Sequence, residues 1–119
     1  MRNVKDEVYA ALLTVSNNVS DTYPKEFAVF PAIQYTEEDN SVFERTDNKE
    51  DKAKVRYRID IWDGKSTSKA TLDVDAALSS LGLVRTGCAD TPDPSGLKHK
   101  QMRYEGVICM DSNVVYWDI

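Results

Sequence analysis

Val4, Val8, Ala11, Leu12, Val15 and Val19 recur at the three- and four-residue spacing of one helical face, which predicts an amphipathic first helix. Asn3 is placed to cap it, and Asp6 and Glu7 sit in its first turn, where the helix dipole favours anions. Asn17-Asn18 and then Ser20-Asp21 mark its exit. A second stripe of the same spacing, Ala70, Val74, Ala77, Leu78 and Leu81, predicts a second helix. Ser66, Thr67 or Ser68 would cap that helix, and Gly82 fits the left-handed residue that closes one.

Between the two helices the period changes from three-to-four to two. In the segment Lys54–Trp62, Val55, Tyr57, Ile59 and Ile61 fall on one face and Arg56, Arg58 and Asp60 on the other. That alternation predicts a strand with one face on the core and the other toward water or a partner. Trp62 falls on the polar face and breaks the rule.

The weaker patterns fill in the rest. Tyr23-Pro24 and Phe30-Pro31 punctuate a loop, because the residue before proline is pushed to extended geometry. Ala32–Glu37 reads as a strand, Glu38-Asp39-Asn40 as a turn, and Ser41–Arg45 as the returning strand. Thr46–Lys52 is almost wholly charged or polar and reads as a solvated loop. After the second helix come a short strand at Leu83–Cys88, a proline-rich loop at Asp90–Gly96, and a last hairpin. Its strands are Lys98–Met110 and Val114–Asp118, joined at Asp111-Ser112-Asn113. The expected class is α+β, a mainly antiparallel sheet with both helices on one face, in the order α-β-β-β-α-β-β with one further short strand at the end.

Composition narrows the picture. A chain of 119 residues fits a single domain, residues 1–119. Apolar residues at 41% and charged residues at 29% describe a globular chain. A net charge of −5 argues against nonspecific nucleic-acid binding, which needs clustered Lys and Arg. Two cysteines, Cys88 and Cys109, are too few for a disulfide scaffold and point to a reducing compartment. Neither an apolar signal core nor a run of about 20 apolar residues is present, so neither classical export nor a membrane span is expected.

Candidate chemistry is sparse. The single histidine, His99, lies between Lys98 and Lys100 without a nucleophile motif, and reads as a solvated strand residue. Both cysteines fall on predicted strands and read as buried structural thiols. Glu37-Glu38-Asp39 and Asp47/Glu50/Asp51 lack the alternating acids and glycine of a calcium loop, and Asp90 and Asp93 fit turn formation beside two prolines. The five glycines are scattered singly, so no phosphate loop is formed. No cofactor or metal is therefore implied. The polar strand face, with Arg56, Arg58 and Trp62, carries residue types that supply interface energy.

A set of segments along nearly the whole chain resembles one protein family. Tyr23-Pro24 is followed by a proline-led strand (Pro31–Glu38), a strand ending Ile-Asp-Ile-Trp (Ile59–Trp62), a helix closed by Leu81-Gly82, and His-Lys-Gln-Met-Arg-Tyr-Glu-Gly-Val (His99–Val107). The pattern resembles the tail terminator, tail completion or head-to-tail joining proteins of long-tailed bacteriophages and prophages. The resemblance implies a homo-oligomeric ring, often hexameric, that caps the tail tube, docks to the head connector and belongs to the virion after assembly in the host cytoplasm. In such a ring Asp47, Lys49 and Glu50 would reach a neighbour or line a channel, and the acidic balance would suit DNA sliding past. The competing expectation is a monomeric acidic regulatory or inhibitory module. A small enzyme would require a pocket joining His99 to an acid.

Overall fold

The alternation of Val55, Tyr57, Ile59 and Ile61 makes a strand whose two edges both need partners, and it finds them in the middle of a sheet. The structure, a computed structural model, describes residues 4–46, 49–109 and 115–116, with side chains for 4–41 and 52–108. Among them are helix α1 (Val4–Leu13), strands β1 (Asn18–Ser20), β2 (Ala32–Thr46) and β3 (Lys49–Asp63), and helix α2 (Ser68–Ser79). Strands β4 (Val84–Asp90), β5 (Lys98–Cys109) and β6 (Val115–Tyr116) follow. The sheet runs β1-β2-β3-β5-β4, with β6 also beside β5. Among the described residues only the β1–β2 pair is parallel; β2–β3, β3–β5, β4–β5 and β5–β6 are antiparallel. The α+β class and the order α-β-β-β-α-β-β are as the sequence predicts, with the central strand where the alternation put it.

The helices deliver their stripes to one sheet face. Val4, Val8 and Leu12 from α1 and Ala70, Val74 and Leu78 from α2 join Ile33, Tyr35, Val55, Tyr57, Ile59, Ile61, Met102 and Tyr104 in one buried cluster. Each fully buried aliphatic side chain there contributes about 1.5–3 kcal/mol relative to exposure. Tyr57 and Tyr104 reach through this core with their polar ends satisfied. The Tyr57 hydroxyl donates to Glu37 Oε1 at 3.0 Å and that of Tyr104 to Asp75 Oδ1 at 2.7 Å. Burial pushes both phenols well above their ordinary range, and the neighbouring carboxylates add to the shift.

Three expectations need correction. The first helix stops at Leu13, not near Val19, and Val15 and Ser16 close a turn by donating backbone N–H bonds to the Leu12 carbonyl. Val15 and Val19 still pack against the core, from that turn and from β1, so the stripe reports a common buried side and overstates the helix. Glu38-Asp39-Asn40 is not a turn. It lies inside one 15-residue strand at a register shift, where Glu37 pairs with Tyr57 and Asp39 with Arg56, leaving Glu38 as the extra residue of a bulge. Finally, Thr46 and Lys49–Lys52 belong to strands, not to a solvated loop. Only 47–48 of that segment, with the expected turn at 111–113 and the Asn3 cap, lie outside the described residues.

The second helix begins and ends in recognisable chemistry. Thr67 occupies the cap position without a side-chain cap bond, while Ser66 Oγ accepts the backbone N–H of Ser68 at 3.2 Å. Gly82 has φ 92°, the left-handed geometry expected after the helix. Because Ile59 is wholly buried at the centre of the core, Ile59→Ala should lower unfolding free energy by about 2–5 kcal/mol in urea titration. Leu72→Ala, on the outward side of α2 at 72% exposure, should change it by less than about 0.5 kcal/mol.

Candidate functional site

Register decides what gathers on the face turned away from the helices. Arg56, Arg58, Asp60 and Trp62 on β3 stand directly beside Glu105, Arg103, Gln101 and His99 on β5. The β2 bulge turns Glu38 into this group. Its carboxylate receives Arg103 Nε at 3.0 Å, with Arg56 Nε at 3.4 Å and Arg58 Nη1 at 3.7 Å. Desolvation raises the pKa of Glu38, but the hydrogen bond and charge of Arg103, with Arg58 and Arg56 behind it, outweigh that and hold the carboxyl below its usual value. Asp60, buried, accepts from Arg58 Nε at 3.0 Å and from Gln101 Nε2 at 3.2 Å. Three guanidiniums thus face two carboxylates, and the arginines remain 31–42% exposed.

Toward the end of β3 the face becomes aromatic and closed. Trp62 is only 2% exposed. Its ring stacks on His99 at 4.5 Å between centroids, and Tyr23 and Phe27 approach it edge-on at 5.4 and 6.0 Å. Its indole N–H donates to Asp93 Oδ1 at 3.1 Å. Asp93 is in turn fixed by the hydroxyl and backbone N–H of Ser95, and these bonds, Ser95 first and Trp62 second, draw its carboxyl below the ordinary range. His99 lies between two acids, with Nε2 2.8 Å from Asp60 Oδ1 and Nδ1 3.7 Å from Asp93 Oδ1.

Several sequence expectations change here. Trp62 is not an exposed contact residue, because the loop between β1 and β2 folds its aromatics over it. His99 is not a solvated strand residue but a nearly buried link between β3 and the β4–β5 loop. Glu38 and Asp93 are partnered acids, not merely solvated turn formers. Cys88, expected to be buried, is exposed on β4, since that strand lies at the sheet edge; the Cys109 side chain lies outside the described residues. Arg56 and Arg58 keep the half-exposed positions that alternation assigned, and Arg103 joins them. Lys49 and Glu50 are strand residues whose side chains lie outside the described set, as does Asp47 entirely.

A cleft of about 670 Å³ opens beside this end of the sheet, lined among others by Lys65, Asp90, Asp93, Lys98, His99 and Lys100. It does join the histidine to acids. Among the described residues, however, no hydroxyl or thiol is hydrogen-bonded to His99, whose neighbours are carboxylates and an indole ring. Nor, among those residues, is any trio of His, Cys, Asp or Glu placed to hold a metal ion. No helix among them is long and apolar enough to cross a membrane. What the arrangement offers chemically is recognition, through fixed guanidinium donors beside a closed aromatic anchor. No family model matches the chain, and no match is found among curated proteins.

The network makes two measurable demands. Glu38→Gln removes the shared anion of three arginines and should cost about 1–2 kcal/mol at neutral pH. The Glu38 pKa is lower in the folded chain than in the unfolded one. Its contribution is therefore complete above the ordinary value of 4.5 and is lost as pH falls through the folded value. The gap between variant and wild type in urea midpoint should close in acid. Asp93→Ala strips the acceptor from a buried indole N–H and should cost about 1–3 kcal/mol, read by the same titration together with a shift of the Trp62 indole resonance.

Proposed function

We propose that this chain is a structural protein of a long-tailed bacteriophage or prophage tail, acting as a homo-oligomeric ring that completes the tail tube and joins it to the head connector. The observation that carries the reading is the outer sheet face. There three partly exposed guanidiniums share two carboxylates, Glu38 and Asp60, on a chain of net charge −5. Locally surplus positive charge on an acidic protein suits an acidic surface of a like neighbour or of a tail or connector protein. The resembling segments support it, since Pro31–Glu38, Ile59–Trp62 and His99–Val107 are adjacent strands that build this one face.

The sequence's second expectation, a monomeric acidic module, finds its own support in the exposed Tyr23, Val29 and Phe30 of the β1–β2 loop. One pair of measurements separates the two. Light scattering at micromolar concentration should return a multiple of 13.4 kDa, and the purified protein should restore joining of heads to tails that lack their terminal ring. A strict monomer that leaves tails unjoined would overturn the ring reading.

A further inference from the structure

The sheet has two unfinished margins. On one side β1 pairs only with Ala32, Ile33 and Gln34 of β2. From Tyr35 onward the outer edge of β2 therefore has no strand neighbour among the described residues. On the other side β4 closes the order, and its residues are exposed along the whole strand except for the half-buried Gly87. An unpaired strand edge is a template for another chain.

The two margins fit each other. β2 is antiparallel to β3, β3 to β5 and β5 to β4, so β4 runs opposite to β2. Repeating the sheet head to tail preserves every strand direction, and β4 of one copy then meets β2 of the next as an antiparallel pair. Their heights agree as well. Val84 is level with Asp39 through Glu105 and Arg56, and Cys88 is level with Tyr35 through Met102 and Ile59. The stretch of β4 from Val84 to Cys88 thus stands at the height of the part of β2 that β1 leaves open. Arg85, half-exposed and ion-paired with Asp75 at 3.4 Å, comes level with Glu37 on the same face through Tyr104 and Tyr57, adding opposite charges side by side across the joint.

We propose that a second copy of this chain docks the β2 edge at Tyr35–Asp39 against β4 at Val84–Cys88, continuing one sheet from protomer to protomer. The inference rests on the ring reading and specifies its joint, a heterologous contact that can repeat until it closes. A two-fold pairing of β4 with itself would use one margin, stop at two copies and leave β2 open.

The test uses the full chain. Val84→Lys with Thr86→Lys puts two cations on exposed positions of the edge strand, a known deterrent to strand addition. Circular dichroism should be unchanged while the assembly falls to the single-chain mass of 13.4 kDa. Hydrogen exchange on the wild-type assembly should show slowed amides on both margins, Tyr35–Asp39 and Val84–Cys88, relative to dilute protein. Assemblies that survive the lysines with neither margin protected would overturn the joint and leave the ring reading standing. So would dimers protected on β4 alone. A wild-type chain that is monomeric at all concentrations would overturn both.

Discussion

β3 is paired along nearly its full length on both sides, and everything else in the molecule answers to that constraint. A central strand has no freedom to slide, because a one-residue slip would carry Val55, Tyr57, Ile59 and Ile61 to the polar face. Fixing it fixes β2 and β5, and through them which side chains meet on each face. The helices need only find the apolar side. The opposite face then has to satisfy whatever charges the alternation leaves there, and it does so with cross-strand pairs instead of water alone.

This explains the division of labour within that face. Near the middle the arginines stay partly in water and share a carboxylate, so their charge is organised but not consumed. Toward Trp62 the same face is dry, since Tyr23 and Phe27 fold across the indole and His99 stacks against it. The dry end costs desolvation, which the bonds from Trp62 to Asp93 and from His99 to Asp60 offset. A rigid closed end beside an open charged middle is a favourable basis for a binding surface, because the guanidiniums are held in place before any partner arrives.

Local periodicity made the class, the element order, both helix stripes and the buried face of β3 legible, for these depend on neighbours a few residues apart. The outer network was not legible. Glu38 and Arg103 are 65 residues apart and His99 and Asp60 are 39 apart, and only the register brings them together. Trp62 looked exposed because alternation assigns a face but not what lies upon it; the loop that covers it carries no periodic signal. Cys88 looked buried because a strand was recognisable while its place at the edge was not. The acidic run at Glu37–Asp39 has the composition of a turn, and only pairing on both sides of it reveals one continuous strand.

That run did contain a clue, in the phase of the alternation. Before the bulge the odd-numbered residues Ile33, Tyr35 and Glu37 share the height and side of Ile61, Ile59 and Tyr57; beyond it the even-numbered Asn40 and Val42 pair with Val55 and Ala53. β2 is thus written in two parities joined at Glu38. The near half is bound to the core, whereas the far half obeys its own count. Matched gains or losses of residues beyond the Glu44–Lys52 pair, where β3 passes its last pairing with β5, would lengthen or shorten the β2–β3 hairpin without turning a core side chain over. Related chains are free to differ in the reach of this hairpin while keeping the same body.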